Sequence, residues 1–183
     1  MCGKFGTDAE LAKKARLQLN VELEQQAREE IFPSETITAI IEEDKILSTI
    51  KGNWGIKPAW SKQLLINARA ESVDTKPTFR EQYRFNRCLI PMSHWFDSKK
   101  DPSTGKIIGR YRFAPKDKSP LYMAAIFYPL DGGKIVSLTT APNAQVSDFK
   151  DRMPLIFQQN YESWLINGTT TSDINLDLKI QAV

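Results

Sequence analysis

Cysteine and histidine are scarce in this sequence, and long apolar runs are missing. The two cysteines are Cys2 and Cys88 and the one histidine is His94, too few for a disulfide framework or a cysteine-based metal cluster. No apolar run approaches the ~20 residues that a membrane-spanning helix needs. The N-terminus also lacks the basic-then-apolar pattern of a secretory signal. We therefore predict a cytoplasmic protein with no membrane partner, no metal and no cofactor.

The remaining composition is that of an ordinary globular domain. Of 183 residues, 41% are hydrophobic and 26% are charged, a balance that favours a folded chain over a disordered one. The length fits one domain, and we expect a monomer. The net charge of +3 and the pI near 8.8 permit a nucleic-acid partner without requiring one.

The N-terminal part is predicted to contain a helix followed by a hairpin. Thr7 and Glu10 have the T-x-x-E spacing of a capping box, which predicts a helix that runs to about Glu30. Residues 36–41 and 45–50 are rich in β-branched side chains and flank an acidic turn. These two runs are therefore predicted to pair as a hairpin.

Short extended segments dominate the rest of the sequence. β-branched and aromatic residues between turn-forming clusters predict strands at residues 85–91, 110–113, 121–128 and 134–139. Helices are predicted near residues 143–150 and 158–167. Many short strands with a few helices indicate a single α+β domain, in which a curved, partly closed and mainly antiparallel sheet is barrel-like. We assign this domain to residues 1–168 and a polar C-terminal extension to residues 169–183.

Cys2 is the most informative single position. Ordinary removal of Met1 would leave Cys2 with a free α-amine beside its thiol. The amine, with a pKa of about 8, can condense with an aldehyde, and the thiol can then close a five-membered thiazolidine ring. A cysteine at position 2 is, taken alone, more often accidental, so its meaning depends on the rest of the sequence.

Six short motifs occur in order along the chain. They are MCGKF at residues 1–5, WGIKPAW at 54–60, NARAE at 67–71, FR at 79–80, RCLIP at 87–91 and DRMP at 151–154. In this order the motifs resemble the SRAP family, the SOS-response-associated peptidases, also called abasic-site processing proteins. The resemblance runs to about residue 166 and so covers nearly the whole chain.

The resemblance implies covalent capture of abasic sites in single-stranded DNA. In the family the mature N-terminal cysteine forms a thiazolidine with the ring-opened deoxyribose, and this crosslink shields the lesion from strand cleavage and error-prone bypass. Carried over by position, Cys2 is the nucleophile. Asn67 would hold the crosslinked sugar or the Cys2 amine, because an amide offers a donor and an acceptor together. The alternative for Asn67 is a turn or capping role.

The same resemblance implies a set of DNA-binding residues. Arg69 and Arg152 would clamp phosphates through their guanidinium forks, and Lys4 stands where the family more often has arginine. Each of these cations has solvated surface charge as its alternative. Trp54 would supply a face for stacking a base, with core packing as the alternative. Glu71 would support Arg69 or act directly.

Two substitutions depart from the family pattern at positions implied to be catalytic. Asp97 stands where the family has a glutamate that acts as acid and base, and it is shorter by about 1.5 Å; Ser98 replaces the tryptophan that follows. Lys150 stands where the family has histidine before DRMP. A lysine of ordinary pKa stays charged, so it would act through its charge, or as a base if desolvation or Arg152 lowered its pKa. His94 is a candidate to compensate, although a structural or surface role is favoured.

Three functions stay open on the sequence alone. The one we favour is covalent abasic-site capture with lyase-like steps and weakened acid–base catalysis, which would bring the protein to the nucleoid when it binds DNA. The second is a single-stranded DNA-binding module without chemistry, favoured by Asp97 and Lys150 and opposed by Cys2 and Asn67. The third is the cysteine-type peptidase that the family name implies, which the single residue before Cys2 disfavours because it leaves no propeptide.

Overall fold

The protein folds as an α+β domain in which strands dominate, as predicted. A computed structural model describes residues 3–24, 26–130, 132–171 and 176–183, so the predicted nucleophile Cys2 lies outside the described residues. The strands of the described part are β1 (Lys4–Thr7), β2 (Arg28–Ile31), β3 (Thr36–Glu43), β4 (Ile46–Trp54), β5 (Asn67–Arg69), β6 (Arg87–Met92), β7 (His94–Lys100), β8 (Ile107–Pro115), β9 (Leu121–Tyr128), β10 (Lys134–Thr140), β11 (Met153–Pro154), β12 (Ile156–Phe157) and β13 (Leu178–Ala182). The helices there are α1 (Leu11–Leu19), α2 (Arg80–Phe85) and α3 (Tyr161–Leu165), with a 3-10 turn at Ala70–Ser72.

The larger sheet has eight strands and closes on itself. Its order is β11-β10-β4-β3-β6-β9-β12, with β5 paired to β10 off this path. An additional pairing between β10 and β9 completes a ring of strands, β10-β4-β3-β6-β9, which forms the predicted curved, partly closed sheet. Most of its pairs are antiparallel, whereas β10 runs parallel to β4 and β5.

The smaller sheet has five strands in the order β13-β8-β7-β1-β2. Each neighbouring pair in it is antiparallel. The register of β1 on β7 sets Lys4 opposite Phe96, and the register of β7 on β8 sets Asp97 opposite Tyr111. This sheet therefore brings the N-terminal motif and the Asp97 position to neighbouring strands.

β6 lies between two layers of core. Cys88, Ile90 and Met92 belong to one buried cluster, whereas Leu89 belongs to the other. Successive side chains of a strand point to opposite faces of a sheet, so a strand with both faces covered reads as a nearly continuous apolar run. The RCLIP motif is such a run.

The first helix is shorter than the capping box predicted, and this prediction was wrong. α1 ends at Leu19, where Asn20 adopts a left-handed backbone with φ of 53°, and Arg28–Ile31 form β2 instead. Thr7 belongs to β1, and its hydroxyl donates to the carbonyl of Gln26 rather than capping the helix. Pairing of β2 with β1 overrides the local helix preference, as tertiary contacts commonly do.

The hairpin at residues 36–50 is confirmed by β3 and β4, which pair along their whole length. The helix predicted near residues 143–150 is wrong: residues 144–149 form successive turns. The reason is that the Asn143 side chain accepts the backbone N–H groups of Gln145 and Val146, an alternative to helical bonding. The helix predicted near 158–167 is present over Tyr161–Leu165.

The C-terminal residues contribute to the smaller sheet. β13 pairs with β8 from Leu178 opposite Pro115 to Ala182 opposite Tyr111. This part of the predicted polar extension therefore forms an edge strand, which its polar composition did not predict. The boundary at residue 168 stays a prediction.

Candidate functional site

Asp97 and Lys150 form an ion pair. Lys150 Nζ lies 2.9 Å from Asp97 Oδ1 and donates to the carbonyl of Ser98 at 3.3 Å. The side chains are 15% exposed for Lys150 and 7% for Asp97, so salt screens this pair less than an exposed one. Burial lowers the pKa of Lys150, but the hydrogen bond and charge of Asp97 outweigh burial and raise that pKa above its ordinary value. The ion pair and the raised pKa oppose the alternative in which Lys150 acts as a base of lowered pKa.

An open cavity of about 340 Å³ lies beside this pair. Lys4 and Asp97, which lie 93 residues apart in the sequence, both line it. Lys4 forms an ion pair with Glu30, and its Nζ lies 4.3 Å from the centroid of the Phe96 ring. The lining residues are Gly3, Lys4, Phe32, Phe96, Asp97, Ser98, Arg110 and Val183.

Arg110 is a cation of this cavity that the sequence analysis missed. It lies on β8 opposite Ser98 of β7, and its residue is exposed. No linear motif contains Arg110. Residues opposite each other in an antiparallel pair lie close together, but only the strand at residues 110–113 was predicted and its partner β7 was not, so no sequence signal could set Arg110 beside Ser98.

Asn67 is held by a hydrogen-bond network beneath β5. The register of β5 on β10 sets Asn67 opposite Ser137, and the Ser137 hydroxyl donates to Asn67 Oδ1 at 2.7 Å. Ser137 is completely buried. Trp54 Nε1 lies 3.2 Å from Ser137 Oγ and 3.2 Å from the carbonyl oxygen of Ile66, so two side chains of the motifs, Trp54 and Asn67, meet at Ser137.

The predicted stacking role of Trp54 is wrong. Its exposure is 0%, and its ring packs edge-on against Phe5 at a centroid distance of 5.1 Å, so no face is open to a base. Trp60, the second tryptophan of the same motif, is instead 70% exposed. It lines a cavity of about 510 Å³ with Lys57 and Lys134 among its walls. The alternation of buried and exposed residues could not be read across this loop because it is not a regular strand.

Arg152 and Arg69 lie near each other in the sheet but in different surroundings. Arg152 donates to both carboxylate oxygens of Glu71 at 2.7 Å and to the carbonyl of Thr139 at 2.6 Å. The hydrogen bond from Arg152 lowers the pKa of Glu71. Glu71 therefore supports Arg152, which corrects the predicted support of Arg69. Arg69 ends β5 opposite Thr139 and is exposed.

His94 does not reach the Asp97 site. It is 1% exposed, with Nδ1 3.0 Å from Arg112 Nη2 and Nε2 2.9 Å from the Glu29 carbonyl oxygen. Positions 94 and 97 are three residues apart on one strand, so their side chains point to opposite faces. This burial agrees with the structural role favoured from sequence. Because the His94 side chain points away from Asp97, it cannot compensate for the substitutions at positions 97 and 150.

The other chemical candidates of the described chain are few. Cys88 is completely buried, and burial raises the pKa of its thiol far above the usual range, so it is not a nucleophile at neutral pH. Among the residues the structure describes, no group of three or more His, Cys, Asp or Glu side chains could hold a metal ion. None of the described helices is long and apolar enough to cross a membrane.

Comparison with known proteins places this chain in a family. The model of the family "SOS response associated peptidase (SRAP)" matches residues 1–181. The abasic site processing protein YoaM of Bacillus subtilis is 33% identical over 155 residues, which cover 78% of this chain and 66% of YoaM. The abasic site processing protein YoqW of the same bacterium is 32% identical, with 94% of this chain and 84% of YoqW covered.

Solved structures agree on the fold. A crystal structure of a protein from Bordetella bronchiseptica matches with a TM-score of 0.80 at 18% identity, covering 100% of this chain and 99% of that one. A second, from Bacteroides thetaiotaomicron, matches with a TM-score of 0.74 at 21% identity, covering 100% and 92%. These structures therefore share the overall fold of this chain. The chain belongs to the SRAP family.

Proposed function

We propose that the protein processes abasic sites in single-stranded DNA by forming a covalent crosslink through Cys2 once Met1 has been removed. The observation that carries the proposal is the cavity shared by Lys4 and Asp97. Gly3, to which Cys2 is bonded, lines the same cavity. The names of the relatives, abasic site processing proteins, support the abasic-site part of the proposal.

The crosslink needs no oxidant, reductant or metal. The Cys2 amine would attack the aldehyde carbon of the ring-opened sugar, while the carbon–oxygen π pair moves to oxygen, and a proton follows from nitrogen to oxygen. Loss of water then gives an imine. The thiol adds its sulfur to the imine carbon and its proton ends on nitrogen, which closes the thiazolidine ring with one water released overall.

The Asp97–Lys150 pair supports a restricted role in this chemistry. A general acid or base must exchange a proton at the working pH, and Lys150 stays protonated because its pKa is raised. Lys150 therefore contributes a fixed positive charge near the cavity, suited to an anionic phosphate or a developing oxyanion. Proton transfer would depend on Asp97 or on water, so the catalytic steps are slower than with a histidine.

DNA binding would use exposed cations and an exposed aromatic ring. Arg69 and Arg110 are exposed, Lys4 lines the cavity, and Trp60 offers an open face for base stacking. Arg152 binds Glu71 in the absence of DNA, and its predicted phosphate contact stays a proposal. This set of cations is sequence-independent in its chemistry, as expected for a protein that recognises a missing base rather than a sequence.

The experiment is adduct formation on a single-stranded oligonucleotide with one abasic site, after intact mass has confirmed removal of Met1. The natural protein should give a heat-stable adduct on a denaturing gel, and Cys2→Ala should give none. Cys2→Ser keeps the amine and loses the thiol, so its adduct should survive only after borohydride reduction of the imine. Equal adduct formation by Cys2→Ala would refute the assignment of Cys2.

The charged state of the Asp97–Lys150 pair also favours a second candidate, a single-stranded DNA-binding module without chemistry. In that case processed protein would bind the abasic strand and an undamaged strand without any adduct. The gel and a binding measurement on the same oligonucleotides separate the two candidates.

A further inference from the structure

The His94 side chain crosses β1 at Gly6, the residue of that strand that has no side chain. The register of β1 on β7 sets Gly6 opposite His94, and residues opposite each other in an antiparallel pair share one face of the sheet. A β-carbon placed on Gly6 would lie 2.3 Å from His94 Nε2 and 2.2 Å from the carbonyl oxygen of Glu29. The imidazole therefore fills the space that a side chain at position 6 would need, and it reaches from β7 across β1 to β2.

The partners of the imidazole determine its tautomer. The Arg112 guanidinium can only donate, and its Nη2 lies 3.0 Å from His94 Nδ1, so Nδ1 is an acceptor. The hydrogen of the neutral ring is then on Nε2, which lies 2.9 Å from the carbonyl oxygen of Glu29. The single hydroxyl hydrogen of Ser93 goes to the carbonyl of Gly6, which leaves Nδ1 to Arg112.

These bonds connect three strands of the smaller sheet. His94 belongs to β7, Arg112 to β8 and Glu29 to β2, and β1 lies between β7 and β2 in the strand order. Arg112 Nε also lies 3.3 Å from the Glu29 carboxylate. His94 is 1% exposed, so water has little access to the ring. We call this arrangement of His94, Gly6, Glu29 and Arg112 the His94 clasp, because it links the two neighbours of β1 across the strand between them.

The His94 clasp is in contact with the wall of the cavity. His94 and Phe96 are alternate residues of β7 and so share a face, and their rings meet edge-on at a centroid distance of 5.1 Å. Phe96 lines the cavity, and Lys4 Nζ lies 4.3 Å from the centroid of its ring. A continuous set of contacts therefore runs from His94 through Phe96 to Lys4 of β1.

We propose that His94 is a positioning residue that holds β1 at the cavity and with it the N-terminal chain that would carry Cys2. This inference rests on the proposed function for the reaction that β1 serves. A nucleophile that must meet a bound aldehyde depends on its placement, and an error of about 1 Å can cost about 10²-fold in rate. His94 touches neither the DNA nor the reacting atoms in this role; it acts through β1.

The clasp requires an uncharged imidazole. A second ring hydrogen, on Nδ1, would face the N–H groups of Arg112, donor against donor. The charged groups that face the ring are Arg112 from β8, which opposes protonation, and Glu29 from β2 and Asp8 beyond β1, which favour it. Burial is the largest influence, and the pKa of His94 is lowered from its ordinary value of 6.5. The ring is therefore neutral at pH 7, as the hydrogen bonds require.

Nuclear magnetic resonance tests the clasp in the DNA-free protein. His94 is the only histidine, so its ¹⁵N ring signals are assigned without a variant, and we expect the neutral tautomer with hydrogen on Nε2 at pH 7. In His94→Ala the backbone amides of β1 should exchange with water about tenfold faster, the worth of one or two hydrogen bonds. Trp164→Phe removes a buried bond to the Cys88 carbonyl on α3 and is the matched control, in which exchange in β1 should stay unchanged.

Gly6→Ala is a second variant that retains every polar group of the clasp. Its β-carbon would collide with the imidazole and with the Glu29 carbonyl, so we expect faster exchange in β1 here as well. A ring that is charged at pH 7, or that carries its hydrogen on Nδ1, would overturn the clasp. Unchanged exchange in β1 of both His94→Ala and Gly6→Ala would overturn it too.

The positioning role is tested by comparing a DNA-bound aldehyde with a free one. At saturating abasic oligonucleotide, the first-order crosslinking rate of His94→Ala should fall about tenfold, within the loss that misplacement causes. Glycolaldehyde, which diffuses freely to Cys2, should form its thiazolidine at the same rate in the natural protein and in His94→Ala, followed by intact mass. His94→Gln, which retains a donor and an acceptor, should recover part of the lost crosslinking rate, and Trp164→Phe should match the natural protein in both reactions.

The outcomes separate this inference from the proposed function. If the natural protein forms no adduct with abasic DNA, the proposed function fails, whereas the ring signals and amide exchange still decide whether His94 holds β1. An equal loss of rate with glycolaldehyde and with DNA would overturn the positioning role, because His94 would then affect the reactivity of Cys2 rather than its placement. Undiminished crosslinking in both His94→Ala and Gly6→Ala would also overturn it.

Discussion

Lys150 Nζ lies 2.9 Å from Asp97 Oδ1, so the two implied catalytic positions at which this chain departs from the SRAP pattern are direct partners. A shorter carboxylate and a longer cation complement each other in reach and in charge. Replacing either residue alone would leave a mostly buried charge without its partner, which is costly. The two departures therefore form one structural change, and they are best tested together.

The double variant Lys150→His/Asp97→Glu should accelerate crosslinking or its reversal at neutral pH. A positioned acid or base typically contributes ~10²–10⁴-fold, and we expect about tenfold from an introduced, imperfectly aligned histidine. Lys150→His alone should give less, because Asp97 would lose its cation. The measurement is a pH–rate profile of each form on one abasic oligonucleotide. Matching profiles for the natural protein and the double variant would show that position 150 takes no part in the limiting proton transfer.

Arg69→Ala and Arg152→Ala should differ in their effects on undamaged single strands. Removing the exposed Arg69 should reduce the slope of log affinity against log salt by about 0.7, one phosphate contact. Removing Arg152 should lower the melting temperature as well, because Glu71 and the Thr139 carbonyl lose their donor. Arg16→Ala on α1, where the side chain is 66% exposed, controls for loss of net charge. If the salt slope of Arg69→Ala equalled that of the control, Arg69 would be a solvated surface charge that makes no phosphate contact.

Trp60→Ala should weaken binding to single-stranded DNA without unfolding the protein. A stacked base contributes about 1–3 kcal/mol by alanine substitution, and the 70% exposure of Trp60 means that little core packing is lost. Phe85→Ala, at a ring 69% exposed on α2, is the matched control. Fluorescence anisotropy with a labelled strand measures both. Equal affinities for the two variants would remove Trp60 from the binding surface.

His94 should make the protein less stable in mild acid. The pKa of His94 is lowered from its ordinary value of 6.5, chiefly by burial and further by the charge of Arg112. The hydrogen bond to the Glu29 carbonyl and the charges of Glu29 and Asp8 oppose this shift without reversing it. The unfolded chain therefore binds a proton at a higher pH than the folded chain. Stability from His94 should be complete above about pH 6.5 and should be lost as the pH falls through the folded pKa.

Urea unfolding at several pH values between neutral and mildly acidic measures this effect. The free energy of unfolding of the natural protein should decline more steeply below its ordinary pKa than that of His94→Gln, which cannot titrate. The difference between the two curves isolates His94 from the carboxylates, which titrate in both. Parallel curves would show that His94 accepts a proton in the folded state as readily as in the unfolded one.

Local patterns and tertiary contacts contributed differently to what could be predicted. The hairpin of β3 and β4 was readable because its alternation and turn lie within one short stretch. The extent of α1 was not readable, because the pairing of Arg28–Ile31 with β1 is a contact across the chain. The short motifs identified the positions of Asn67, Asp97 and Lys150, yet no motif could show that Asp97 and Lys150 touch each other.

The sequence by itself determined the α+β class, the family and the positions at which this chain departs from the family pattern, because composition, periodicity and motif order are properties of the linear chain. Only the tertiary structure decided the surroundings of the side chains. Burial leaves Trp54 no open face for a base, and the ion pair with Asp97 raises the pKa of Lys150. The exposure and the pKa of a side chain depend on neighbours that strand pairing brings from distant parts of the sequence, and no local sequence pattern specifies these neighbours.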